Sequence, residues 1–223
     1  MKKILLVIIS VICILAVVYG CSKKNKNAET TAESTTATTS QSETSTTSVA
    51  ETELEADNMG VDGYSTDKVV WGPGRAENHA QPTDPVMLNS QYKNLDGHFI
   101  LDDKKSICLT FDEGYENGYT SLILDTLREK SVPAAFFVTG PYVKGEPELI
   151  MRMAKEGHII GNHTVNHPSL PSVSTAKEIY DEVNELDRLV YGVCKQKCRY
   201  IRPPKGEYSE RTLAITNDLG YIN

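Results

Sequence analysis

The chain has 223 residues, a formal net charge of −7 and a hydrophobic content of 39%. This length and composition allow a globular domain with a buried core. The balance is acidic and no stretch is strongly basic, so the composition does not favour a nucleic-acid-binding protein. We therefore expect no nucleic-acid partner.

The N-terminus has the pattern of an export signal. Lys2 and Lys3 precede a nearly continuous apolar run over 4–19, which is shorter than the roughly 20 residues of a membrane-spanning helix. Residues 1–21 are predicted to be a signal peptide or a lipoprotein signal, with Cys21 as the lipidated residue. An uncleaved membrane anchor and free secretion remain open. Each alternative places the rest of the chain outside the cytoplasmic membrane, either anchored to its outer face or secreted to the cell wall.

Two segments of different character lie between the N-terminal signal and residue 106. Residues 22–56 are predicted to form a disordered tether, because 28–56 consist almost entirely of Ala, Ser, Thr and Glu and cannot bury enough apolar surface to order. Residues 57–105 are rich in turn-forming residues and show no helical period. We expect them to form an irregular N-terminal collar.

From residue 106 onward, short apolar strands alternate with amphipathic helices. This alternation predicts an α/β domain over 106–223 whose parallel strands are joined by right-handed crossovers. The spacing of Thr175 and Glu178 predicts a helix that begins with a capping box. The predicted strands are 107–111, 134–138, 158–161, 199–202 and a fifth that starts at 221; the predicted helices are 120–130, 146–155, 175–191 and 209–219.

The cysteines of this domain are not arranged as a metal site. Cys108 lies in an apolar run and is expected to be a buried thiol. Cys194 and Cys198 flank a short turn, where a local disulfide and two free thiols are both open. Two cysteines without a second pair do not complete a tetrahedral metal site.

Three segments carry the residue types of a metal-assisted hydrolase. Asp112 and Glu113 follow the first predicted strand, His163 and His167 follow the third, and Arg202 ends the fourth. Active sites of parallel barrels lie at the carboxyl ends of their strands, so these side chains are expected to meet. Together they offer a general base, ligands for a divalent metal and a cation to orient the base.

These segments resemble the motifs of a known enzyme family. TFDEGY (110–115), HTVNHP (163–168) and RPPKG (202–206) are similar to the motifs of polysaccharide deacetylases of the NodB-homology type, carbohydrate esterase family 4. The longer strings over 112–120 and 136–140 resemble the delta-lactam-biosynthetic branch, which removes acetyl groups from muramic acid in spore-cortex peptidoglycan. The resemblance implies a distorted (β/α) barrel, a divalent metal ion and an N-acetylated cell-wall glycan as substrate.

The resemblance also implies a role for each residue of the site. His163 and His167 match the family's metal ligands, and Glu113 occupies the position of the third ligand, where the family usually has Asp. Asp112 matches the general base and Arg202 its charge partner. The backbone N–H near Lys205 matches a donor to the oxyanion. Zinc is the expected metal, with cobalt, nickel and manganese open.

One departure from the family concerns the C-terminus. The family's later motifs, including the histidine that protonates the leaving amine, have no counterpart up to Asn223. We expect the deacetylase domain to be incomplete here because the sequence is a piece of a longer protein. A naturally shortened, non-catalytic wall-binding protein is the alternative, and a deacetylase of chitin oligomers or of O-acetyl groups also remains open.

Overall fold

The computed structural model describes residues 60–78, 80–101 and 105–223. The predicted signal with Cys21 and the predicted tether over 22–56 lie outside these residues. Within the described ranges, no helix combines the length and the apolar character needed to cross a membrane.

Strands and helices alternate over 110–194 as the sequence predicts, with one additional helix at 140–145 that the sequence did not predict. The helices are α1 (Thr83–Gln91), α2 (Thr120–Lys130), α3 (Gly140–Gly145), α4 (Pro147–Lys155), α5 (Ala176–Cys194) and α6 (Glu210–Asp218). The strands are β1 (Val69–Val70), β2 (Thr110–Glu113), β3 (Ala135–Val138), β4 (Ile159–Asn162) and β5 (Glu207–Tyr208). Single turns of 3₁₀ helix occur at Lys93–Leu95, Leu170–Ser172 and Pro204–Gly206.

The central sheet is parallel, as predicted, in the order β2-β3-β4. The predicted fourth and fifth strands continue it only as isolated parallel bridges, from Asn162 to Ile201 and from Tyr200 to Ile222. The bridge at Ile201 brings the segment that begins at Arg202 to the carboxyl end of β4, where the Arg202 N–H donates to the Asn162 carbonyl at 2.9 Å.

The helices cover the sheet through one apolar face each, and α5 shows the reason most clearly. Its predicted capping box is confirmed, because Thr175 and Glu178 exchange side-chain and backbone hydrogen bonds. Apolar residues recur at helical spacing along the helix and are fully buried. They are Ile179, Val183, Leu186 and Val190.

The cysteines differ from expectation. The prediction of a buried Cys108 is wrong: this thiol is exposed, and the neighbouring Ile107 is 87% exposed. The regular strand begins only at Thr110, and β2 lies at an edge of the sheet formed by the described residues, so the apolar run before it is not covered. Cys194 and Cys198 are both free thiols.

The collar contains more structure than its sequence indicates. It includes helix α1, which the sequence did not predict because Pro85 is its only buried residue and no apolar face recurs at helical spacing. Strand β1 pairs antiparallel with β5. An aromatic cluster of Trp71, Tyr92, Phe99 and Tyr208, with ring centroids 5.5–6.4 Å apart, packs the collar against the domain.

Candidate active site

A row of three residues crosses the sheet beneath the candidate site. Asp112, Phe137 and Gly161 are partners in the register of β2, β3 and β4, so they share one face of the sheet. A Cβ atom at Gly161 would lie 2.5 Å from the Phe137 ring. Because Gly161 has no side chain, the Phe137 ring can occupy this space.

Arg202 is held above this row by three contacts. Its Nη1 donates to Asp112 Oδ1 at 2.6 Å, and its Nη2 donates to Thr110 Oγ1 at 3.0 Å. Its guanidinium carbon lies 4.2 Å from the centroid of the Phe137 ring, within the range of a cation–π interaction. Both partners of the ion pair are partly exposed, so its main effect is to orient the carboxylate of Asp112.

His163 presents one ring nitrogen to this carboxylate. Its Nδ1 lies 2.7 Å from the Arg202 carbonyl oxygen, which can only accept, so Nδ1 carries the hydrogen and Nε2 carries the lone pair. Nε2 lies 4.0 Å from Asp112 Oδ2, the carboxylate oxygen that Arg202 does not bind. Burial lowers the pKa of His163, which favours the neutral ring that a metal ion requires.

A constrained loop places the ring of His167 next to that of His163. The two ring centroids are 4.8 Å apart, and the ring planes meet at 69°. Thr164 and His167 both adopt positive φ angles, 65° and 58°, which are rare for a β-branched residue such as threonine. Local bonds hold these conformations: the His167 N–H donates to Thr164 Oγ1 at 3.0 Å, and the Thr164 N–H donates to Asn162 Oδ1 at 2.8 Å.

Glu113 is not brought together with the two histidines in a closed ligand set. It follows Asp112 in β2, so its side chain leaves the opposite face of the strand. Burial raises its pKa, and the nearby carboxylates of Glu116 and Asp112 add to the effect. Among the residues that the structure describes, no three His, Cys, Asp or Glu side chains are grouped closely enough to hold a metal ion. The ligand role of Glu113 stays a prediction.

Lys205 lies in the turn that follows Arg202. Its φ angle is 63° and that of Gly206 is 66°. The Trp71 N–H donates to the Gly206 carbonyl at 2.8 Å, and a Cβ atom at Gly206 would lie 2.8 Å from the Trp71 carbonyl oxygen. The collar therefore fixes the backbone of this turn, while the role of the Lys205 N–H as an oxyanion donor stays a prediction.

Sequence reasoning missed three supporting residues of this site. Thr110 and Phe137 lie within the strings that resemble the family, but only the folded sheet shows that both contact Arg202. Trp71 is the single tryptophan of the chain, yet no local pattern links it to a turn more than a hundred residues further on.

Comparison with known proteins decides the family. The model of the polysaccharide deacetylase family matches residues 101–223. The chain belongs to the polysaccharide deacetylase family. Two solved structures of family 4 carbohydrate esterases are similar to this chain. One is PdaA of Bacillus subtilis, with 44% identity, a TM-score of 0.66 and coverage of 70% of this chain and 68% of that one. The other is a family 4 carbohydrate esterase from Bacillus anthracis, with 42% identity, a TM-score of 0.62 and coverage of 72% and 73%.

These similarities confirm the predicted NodB-type α/β fold and the assignment to a family of hydrolases. Among curated proteins, the peptidoglycan-N-acetylmuramic acid deacetylase PdaA of Bacillus subtilis strain 168 is 47% identical over 153 residues. That alignment covers 68% of this chain and 58% of the curated protein. The chain thus spans somewhat more than half the length of this relative.

Proposed function

We propose that this protein removes N-acetyl groups from cell-wall peptidoglycan, and that N-acetylmuramic acid is the sugar on which it acts. The observation that carries the proposal is the arrangement of one carboxylate. Asp112 is held through Oδ1 by Arg202, while its Oδ2 faces His163 Nε2 at 4.0 Å. The similarity to a peptidoglycan-N-acetylmuramic acid deacetylase supports the choice of sugar.

The donor set suits a divalent cation. Two imidazoles with adjacent rings are typical zinc ligands. The hydrogen bond from His163 Nδ1 to a backbone carbonyl is the outer contact that commonly fixes a metal-binding histidine. We propose that His163 and His167 hold zinc and that Glu113, the last residue of β2, is the carboxylate ligand. When bound, such an ion polarises the acetyl carbonyl and lowers the pKa of a water molecule.

The residues of the chain then have separate tasks. Asp112 takes the proton from the attacking water through Oδ2, because its other oxygen is engaged by Arg202. Arg202 holds the carboxylate in a fixed orientation. The backbone N–H of Lys205 stabilises the developing oxyanion. The proton that Asp112 accepts then passes to the departing nitrogen, so the hydrolysis releases acetate and leaves a free amine on the sugar.

Replacement of the base tests the reaction. Asp112→Asn should lower acetate release from purified peptidoglycan by about 10²- to 10⁴-fold, because an amide cannot accept the proton. Asp125→Asn, which changes an exposed carboxylate on α2, should release acetate at the wild-type rate. Near wild-type turnover of Asp112→Asn would refute the mechanism. Mass spectrometry of the muropeptides shows which sugar loses its acetyl group, and loss only from glucosamine would reassign the substrate.

Removal of one imidazole tests the metal site. His163→Ala and His167→Ala should each abolish stoichiometric zinc binding, because each removes one of the few protein ligands. Elemental analysis of the dialysed proteins measures this directly and also identifies zinc, cobalt, nickel or manganese. Unchanged metal content in both variants would show that the metal is bound elsewhere.

The predicted N-terminal signal supports a proposal for the place of action. We propose that the protein acts outside the cytoplasmic membrane and is anchored by a lipid on Cys21, with residues 22–56 as a spacer to the wall. Cys21→Ser should release the protein from the membrane fraction if the anchor is a lipid. Membrane retention of Cys21→Ser would indicate an uncleaved anchor instead.

A further inference from the structure

Glu182, on α5, accepts hydrogen bonds from the loop between His163 and His167. Its Oε2 accepts a hydrogen bond from the Asn166 N–H at 2.8 Å, and its Oε1 accepts one from Asn166 Nδ2 at 2.7 Å. Its carbonyl oxygen also accepts a hydrogen bond from the Val165 N–H at 3.1 Å. Three bonds therefore join one residue of the helix to two consecutive residues of the loop.

The other acidic residues on this part of α5 have different partners. Glu178 forms the capping box with Thr175, and Glu185 pairs with Arg188 at 2.8 Å. Asp181 pairs with Lys177 at 2.8 Å. Glu182 thus differs from its neighbours because both of its carboxylate oxygens bind the loop.

The loop needs such a contact because its backbone is constrained. Thr164 and His167 have positive φ angles on either side of Val165 and Asn166, and such conformations persist where the surroundings hold them. The Val165 carbonyl is also fixed, since it accepts the Gly140 N–H at 3.1 Å. The carboxylate of Glu182 supplies the remaining hydrogen bonds to this loop, from the side of α5.

We propose that Glu182 is a positioning residue that sets the spacing of His163 and His167 for a divalent cation. This inference rests on the proposed function, since it assumes that the two imidazoles bind the metal. Glu182 contacts neither ring; it acts through the Asn166 backbone, directly before His167. Loss of its contacts should let His167 leave the position in which its ring lies 4.8 Å from that of His163.

The first experiment compares Glu182→Ala with Glu185→Gln in the full chain. Glu185→Gln is the matched control because it changes an acid one turn further along the same helix that does not bind the loop. Zinc affinity is measured by competition with a chromogenic chelator, and folding by the thermal unfolding midpoint. Glu182→Ala should weaken zinc binding by about 10- to 100-fold, while Glu185→Gln should keep the wild-type affinity.

A second pair of variants keeps the test decisive if Glu182→Ala does not fold. Asn166→Asp places a carboxylate against that of Glu182 and should weaken zinc binding. In the double variant Asn166→Asp/Glu182→Gln, the glutamine amide can donate to the new carboxylate while its oxygen accepts the backbone N–H of residue 166. Zinc affinity should therefore return toward the wild-type value, which a loss of general stability would not produce.

A third measurement separates the inference from the proposed function. Amide hydrogen exchange at residue 166 reports the bond to Glu182 without any metal, and Glu182→Ala should accelerate it relative to Glu185→Gln. If the wild-type chain bound zinc and Glu182→Ala bound it within about twofold of the control, the inference would be wrong. If the wild-type chain bound no metal, the proposed function would fail, and unchanged exchange at residue 166 would then overturn the positioning of the loop as well.

Discussion

At the scale of single residues, the site depends on one arginine whose side chain contacts three neighbours at once. Arg202 donates to Asp112 and to Thr110 and lies over the ring of Phe137. Its backbone carbonyl also accepts from His163. The same residue therefore orients the proposed base with its side chain and a proposed ligand with its main chain.

Arg202→Lys should lower turnover although it preserves the charge. A lysine ammonium can reach one acceptor but lacks the planar fork and the stacking surface of a guanidinium. Loss of one hydrogen bond and of the ring contact costs about 1–2 kcal/mol, which corresponds to roughly 5- to 30-fold. The measurement is kcat for acetate release, with the exposed Arg199→Lys as the control. Equal kcat values for the two variants would show that only the charge of Arg202 matters.

At the scale of elements, His158 lies in the connection between α4 and β4, and its side chain binds the backbone just before β3. Its ring is almost completely buried, its Nδ1 accepts the Ala134 N–H at 3.2 Å, and it packs edge-on against Phe136. Burial lowers its pKa, although the Glu156 carboxylate acts in the opposite direction. Below its usual pKa of about 6.5, the unfolded chain therefore binds a proton more readily than the folded chain.

The stability of the protein should accordingly fall on acidification. The contribution of His158 is complete above about pH 6.5 and is lost as the pH falls through its lowered folded-state pKa. Urea unfolding between pH 7 and pH 5 measures the slope. His158→Asn, although less stable at pH 7, should show a shallower slope over this range. An identical slope in His158→Asn and the wild type would contradict the assignment.

At the scale of the whole molecule, the collar and the deacetylase domain are packed together. Strand β1 pairs with β5, and the aromatic cluster lies beside this pairing. The backbone of Asn223 exchanges hydrogen bonds with Asp96 and His98, at 2.9 and 2.8 Å. The collar thus contacts both the turn of the third motif and the end of the sheet.

Gly206→Ala should loosen this contact. A Cβ atom would approach the Trp71 carbonyl oxygen to 2.8 Å, at a φ angle of 66° that alanine rarely adopts. Such overpacking typically costs about 1–3 kcal/mol. Limited proteolysis should cut the collar faster in Gly206→Ala, and urea unfolding should show the lower stability. Gly192→Ala, where no atom lies within 4 Å of the added carbon, is the control; equal cleavage rates would show that Trp71 does not anchor the collar.

Most of the elements could be predicted because their signals are local. The capping residues and apolar spacing of α5 identify it without any tertiary contact, and α2 begins and ends where its sequence pattern does. Helix α1 and the exposure of Cys108 could not be predicted. Both depend on which surfaces are covered by other parts of the molecule, and a single sequence does not contain that information.

The sequence by itself determined the family and the positions of the candidate residues, because these lie in short motifs at the ends of recognisable strands. Only the tertiary structure decided how they are connected. It alternates Asp112 and Glu113 between the two faces of β2, places Phe137 beneath Arg202, and ties the histidine loop to Glu182, sixteen residues beyond Asn166. These relations join residues that are distant in the chain or depend on strand geometry, so they exist only once the sheet and α5 have packed against each other.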